Sequence, residues 1–201
     1  MTATSPRMVE LDVRVPVWER FFTVAPLVLI GTREPDGSFD LAPKHMVLPL
    51  GWQNYFGFVC TPRHATYYNA WREQAFTVSY PRPGQLVETS LAASGRCDDG
   101  SKPASAALPT IPARKVAGVL VEGAVLQFEC KLERVVEGFG VNSLIVGRIV
   151  AAYADAAALR DADRAPEDVL AAAPLLAYVH PGRVATIDTT HSFPFPEDMR
   201  K

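Results

Sequence analysis

The sequence predicts a mainly β protein, an antiparallel sheet closed into a barrel with a few short helices. Three observations carry this. About seven strand-like segments follow one another with little helix between them, which suits antiparallel pairing rather than parallel crossover units. Turn chemistry, above all Pro35-Asp36-Gly37, separates consecutive apolar runs. Residues 124–133 alternate strictly: Ala124, Leu126, Phe128, Cys130 and Leu132 against Val125, Gln127, Glu129, Lys131 and Glu133. A period of two places the first set inward and the second toward solvent.

The elements follow in order. Residues 24–30 are a short branched apolar run with Pro26 near its start and Gly31 after it, the pattern of a buried strand. After the Pro-Asp-Gly reversal, residues 39–48 resume as one strand, and residues 55–60 form a third. Thr61-Pro62 reads as a helix start, with Thr as N-cap and Pro at the first helical position. That helix runs to about residue 73 and carries Tyr67, Ala70 and Trp71 on one side. Residues 76–80 are another strand and 84–93 a short helix. Residues 94–118 hold three prolines and no period, a length of loop that usually covers something. Glu137-Gly138-Phe139-Gly140 makes the turn from the alternating strand into a returning strand at 143–153. Residues 154–173 are alanine-rich and partly helical, with Pro166 opening a second helix. Late strands are expected at 175–179 and 183–187, and the closing SFPFPEDMRK is too proline-rich for a helix or a central strand.

At 201 residues the chain suits one domain, residues 1–201, with its own core. A hydrophobic content of 48% and a charged content of 21% are those of an ordinary globular protein. Net charge is −2 and there is no basic run, so neither nucleic acid nor a membrane is expected as partner. The first residues lack a signal-peptide layout. Cys60, Cys97 and Cys130 are odd in number and far apart, and two sit in apolar strands. Reduced core cysteines of a cytoplasmic protein are the reading, with no metal spacing.

The strongest chemical signal is Thr61-Pro62-Arg63-His64-Ala65-Thr66. A helix N-terminus presents free N–H groups, here joined by a guanidinium, an imidazole and a hydroxyl, and this favours a phosphate. The residues alone leave an ordinary capped helix with solvated charges equally open. Ala42-Pro43-Lys44-His45-Met46 is the second candidate, since a proline inside a strand marks an edge or a bulge where backbone N–H groups can turn to a ligand. Gly138-Phe139-Gly140 precedes a strand, not a helix, and is a hairpin turn rather than a dinucleotide fingerprint. His45, His64, His180 and His191 are too scattered for a ligand set, and no serine has the context of a hydrolase nucleophile.

PLVLIGTREPDGSFDLAPKHM, FGFVCTPRHATYYN and FTVSYP, in that order, resemble the flavin reductase-like family with the FMN-binding split barrel. The strand ending in Thr32, the Asp-Gly turn, the Asp-x-Ala-Pro segment, the Thr-bearing helix start and the late strand LIVGRIVAAY carry the likeness. It runs from about residue 17 to 195. The resemblance implies an antiparallel Greek-key split β-barrel and a homodimer with FMN at the subunit interface. It implies that Lys44, His45 and Met46 lie along the isoalloxazine, that Cys60 and Thr61 line the ribityl chain, and that Arg63, His64 and Thr66 take the phosphate. Thr32 and Pro43 complete the cofactor-binding set.

No catalytic side chain is implied, because the flavin carries the chemistry. The implied activity is hydride transfer from NAD(P)H to FMN, then electrons to flavin, oxygen or a partner monooxygenase. Two departures stand out: His45 replaces the family's Ser after Ala-Pro-x, and Gly140-Val141-Asn142-Ser143 replaces Gly-Asp-His. The second favours the alternative of a non-enzymatic electron carrier. Phe193 and Phe195 of the tail are expected to cover the flavin or the other subunit.

Overall fold

Two residues, His45 and Met46, join the two opposite edges of a seven-stranded sheet, and this dictates the architecture. The computed structural model describes residues 8–102 and 107–194. Its largest sheet is built from β2 (Val28–Arg33), β3 (Phe39–Lys44), β4 (Val47–Pro49), β5 (Tyr55–Cys60), β6 (Ala75–Tyr80), β9 (Leu126–Phe139) and β10 (Asn142–Ala154). The spatial order is β3-β2-β6-β9-β10-β5-β4, antiparallel throughout. Laid flat, seven strands would be roughly 29 Å across, whereas the link from Lys44 to Val47 reaches roughly 11 Å at most. The sheet therefore curls until β3 and β4 face each other, leaving a split at His45-Met46. The predicted mainly β, antiparallel split-barrel fold is the fold observed.

The barrel core fills with alternate residues of these strands: Val28, Ile30, Phe56, Phe58, Phe76, Val78, Cys130 and Ile145 are all buried. Pro43 lies in the edge strand β3, where its missing N–H breaks no ladder. Helix α1 (Ala65–Glu73) packs on β2 and β6. β7 (Thr110–Pro112) and β8 (Val119–Val121) form a small hairpin laid over the outside of the barrel. Beneath it lies a second apolar cluster of Leu29, Leu41, Ala92, Leu108, Val119, Val121 and Ala124. Helix α2 (Leu86–Leu91) precedes this flap, and helix α3 (Pro166–Ala172) begins on its proline as expected.

Several expectations change. The run 24–30 is two strands, because β1 (Thr23–Pro26) leaves the barrel and pairs with β11 (Leu175–His180), itself paired with β12 (Arg183–Ile187). Residues 39–48 likewise divide at the split. The second face of the alternating strand is not solvent: Val125, Gln127 and Glu129 are buried under the flap, which strict alternation could not reveal. The β9–β10 turn moves to Gly140-Val141, with Asn142 facing Phe139. Of the helix face expected from the sequence, Tyr67 and Ala70 are buried, together with Thr66 and Asn69, whereas Trp71 is 60% exposed. In the tail, Phe193 is exposed on the single chain, where the flavin or a second subunit is expected to meet it, and Phe195 lies outside the described residues.

Candidate functional site

The end of β3, the end of β5 and the start of α1 meet at the split. β4 pairs with β5 through Val47 and Phe58, and Val59 donates its N–H to the Met46 carbonyl at 2.9 Å. Residues 44–46 are thereby laid beside Cys60 and Thr61, which are 14 or more positions away in sequence. The helix begins later than Thr61-Pro62 predicts. Thr61 to His64 form a reverse turn closed by the His64 N–H on the Thr61 carbonyl at 3.1 Å, and α1 starts at Ala65. His64 occupies the N-cap with no side-chain cap; the Tyr67 N–H already bonds the His64 carbonyl at 3.0 Å, which leaves the N–H groups of Ala65 and Thr66 to a ligand.

Three cations, Lys44, Arg63 and Lys102, gather here with two histidines. Lys44 lies near enough to His45, Cys60 and His64 to influence each of them, and Lys102 near enough to influence His64. Burial first, then His180 and Lys44, hold the His45 imidazole below its ordinary pKa. Burial, then Lys44 and Lys102, do the same to His64. Burial pushes the Cys60 thiol up, against the pull of Lys44. Among the described residues Lys44 and Arg63 pair with no carboxylate; Lys102 Nζ binds Asp40 at 2.9 Å. A positive cluster that suppresses its own histidines is relieved by an incoming anion.

Two buried polar atoms point the same way. Thr61 Oγ1 and His45 Nε2 have no hydrogen-bond partner among the described residues. A buried donor or acceptor left unpaired costs about 1–3 kcal/mol, and a ligand's polar edge would recover it. Thr61, Pro62 and Arg63 also line an open cleft of about 430 Å³ with Glu137, Gly138 and residues 140–143.

The expected residues divide into four groups. Lys44, His45, Cys60, Thr61 and His64 come together, with Arg63 exposed on the cleft and Met46 half-exposed beside them. Thr66 is buried in the first turn of α1. Thr32 stands apart: its hydroxyl accepts from Asn69 Nδ2 at 3.3 Å, tying β2 to the helix. Pro43 lines a different cavity on the α2 side. Sequence reasoning missed Lys102 and Tyr178, and set His180 aside as too far from His45, which the fold brings against it. The Tyr178 and His180 rings stack on His45 with centroids 4.3 and 5.5 Å away. Lys102 sits in a patternless loop, and only the threefold alternation of the strand 175–180 could have flagged the aromatic pair.

Among the described residues no group of three or more His, Cys, Asp or Glu could hold a metal, and no helix is long and apolar enough to cross a membrane. Similar folds occur in nitrilotriacetate monooxygenase component B from Bacillus cereus (TM-score 0.78, 16% identity, 94% of this chain and 100% of that one). Flavoredoxin from Methanosarcina acetivorans is comparable (0.76, 16%, 96% and 98%). So is an FMN-binding protein from Thermus thermophilus (0.74, 20%, 94% and 100%). At these identities the likeness is one of fold. No curated protein matches the sequence. The family described as flavin reductase like domain matches residues 21–184, and the chain belongs to that family.

Proposed function

We propose that this protein is a one-domain, cytoplasmic, homodimeric FMN-binding oxidoreductase that passes electrons from NAD(P)H to flavin, oxygen or a partner oxygenase. The observation that carries the reading is the unpaired Thr61 hydroxyl and His45 imidazole in a site with the His64 imidazole and with Lys44 and Arg63, which pair with no carboxylate among the described residues. These groups fit FMN, an anion at one end with a planar polar ring at the other. Arg63, His64 and the uncapped N–H groups of α1 would hold the phosphate, with Thr66 in the same turn. Thr61 and Cys60 would follow the ribityl chain. Lys44, His45 and Met46 would border the ring, and Lys44 beside it would stabilise negative charge there. FMN when bound supplies the hydride acceptor; the protein orients it and sets its electrostatics. Thr32 and Pro43 contribute from behind, by fixing α1 to β2 and by keeping β3 an edge. Exposed Phe139, Val141, Tyr68 and Trp71 supply apolar surface for a second copy. The monooxygenase component B likeness favours an oxygenase partner.

A second reading, an electron carrier without NAD(P)H turnover, is favoured by the sequence at the β9–β10 turn, where Gly140-Val141-Asn142-Ser143 offers no histidine. The visible spectrum of the purified, FMN-loaded protein under anaerobic NADH and NADPH separates the two. Bleaching by either nucleotide is expected of the reductase; bleaching by dithionite alone supports the carrier. A protein that takes up no FMN rejects both.

A further inference from the structure

A cavity of about 700 Å³ lies between helix α2 and the β11–β12 hairpin, within the size range of small-molecule sites. Its walls are Leu27, Leu86, Val87, Leu91 and Val184, and two flat surfaces, Pro43 and the Tyr178 ring, face it. Tyr178 is the same ring that stacks on His45, so this cavity and the split share a wall.

Three polar side chains break the apolar lining: Thr89, Arg183 and the exposed Ser90. Thr89 is 1% exposed and its hydroxyl has no hydrogen-bond partner among the described residues. A helical threonine normally returns its hydroxyl to a carbonyl of the preceding turn; here that bond is missing, and Thr89 is one of the residues that line the cavity. At the rim stands Arg183, exposed and in no ion pair among the described residues. No acidic residue lines the cavity. Apolar walls, flat stacking surfaces, one buried hydroxyl and one planar cation describe a specific chemistry. The guanidinium fork matches a carboxylate in two-point geometry.

We propose that this cavity binds a planar aromatic molecule of one or two rings bearing a carboxylate, with Arg183 on the anion and Thr89 on a polar ring substituent or edge. As the acceptor pocket of a flavoprotein it rests on the function proposed above; as a binding site it rests on the cavity alone.

The test uses the full chain, without and with FMN, titrated with fluorescent 6-hydroxy-2-naphthoate and with the corresponding neutral amide. Saturable one-to-one binding of the naphthoate is expected. Arg183→Gln should weaken the naphthoate about tenfold and leave the amide within twofold. Thr89→Val should raise the thermal midpoint of the ligand-free protein, because it removes an unpaired buried hydroxyl, while weakening both ligands severalfold. A merely structural threonine would not move stability and affinity in opposite directions. The proposal is overturned by absence of saturable binding, which would leave the cavity to be covered by a second copy, or by naphthoate affinity that neither variant changes. FMN titration of the same samples keeps the two ideas apart. Naphthoate binding without FMN uptake rejects only the flavin reading, and FMN uptake without naphthoate binding rejects only the cavity.

Discussion

Glu129 and the split at His45 are two buried polar regions of one barrel, and they are finished in opposite ways. The Glu129 side chain is fully buried, yet it accepts the backbone N–H groups of Arg114 and Val116 at 2.9–3.0 Å, the Lys115 N–H, and the Tyr153 hydroxyl at 2.8 Å. Burial opposes its charge, but these donors outweigh it and hold the carboxyl below its ordinary pKa. At the split, among the described residues, Thr61 Oγ1 and His45 Nε2 have no partner, and Lys44 and Arg63 have no counter-charge. A saturated polar centre is structural, since it clasps the flap that covers β9. An unsaturated one costs stability without return unless something else completes it.

Substitution distinguishes the two most sharply at Glu129. Glu129→Ala strands three amides and a hydroxyl under the flap, so denaturant unfolding should show a loss of about 3 kcal/mol or more. A loss under 1 kcal/mol would mean that the clasp is solvated and the comparison wrong. The flap fits as tightly where it crosses β2. A Cβ on Gly31 would stand 2.9 Å from the Val119 carbonyl oxygen and 2.3 Å from Thr77 Oγ1. Gly31→Ala should therefore cost roughly 1–3 kcal/mol by overpacking, read from the same unfolding curves.

The split should behave in the opposite sense. Lys44→Ala with Arg63→Ala should leave unfolding within about 0.5 kcal/mol of the parent and weaken FMN binding at least tenfold, because each charge-assisted bond contributes about 1.5–3 kcal/mol. Equilibrium titration followed by flavin fluorescence measures this, and unchanged affinity would place the phosphate elsewhere. Thr61→Val should be neutral or slightly stabilising, with a severalfold loss of FMN affinity.

Much of this contrast was legible in the sequence, and the reasons differ by residue. Turn chemistry at Pro35-Asp36-Gly37 fixed the β2–β3 hairpin, where the Ser38 N–H and hydroxyl both bond Asp36. Lys44, His45, Thr61 and His64 were recognisable because each lies in a segment resembling the flavin reductase-like family. The helix start was misplaced by three residues: a Thr-Pro pair serves a reverse turn as well as an N-cap, and local chemistry does not choose between them. Glu129 was misread because alternation reports which residues share a face, not whether a distant loop covers that face. The flap comes from 110–121, whose long patternless approach hid it. Tyr178 was missed and His180 set aside because stacking on His45 depends on β11 pairing with β1, a long-range contact.

Acid gives the weakest effect but addresses both regions in one experiment. A group whose folded pKa is depressed binds fewer protons folded than unfolded, so its contribution is full above the unfolded pKa and is lost as pH falls through the folded one. His45 and His64 are depressed from 6.5, and Glu129 from 4.5. The thermal midpoint of the FMN-free protein should thus fall first below about pH 6.5 and again below about pH 4.5. His45→Gln should flatten the first step and leave the second. With FMN bound the first step should shrink, because a phosphate beside His64 favours the protonated imidazole that Lys44 and Lys102 disfavour. By linkage, FMN affinity should then rise as pH drops through that range. An affinity independent of pH between 5.5 and 7.5 would mean that His64 does not meet the phosphate. The split would still be unfinished, and its ligand would have to satisfy Thr61 and His45 without touching the helix start.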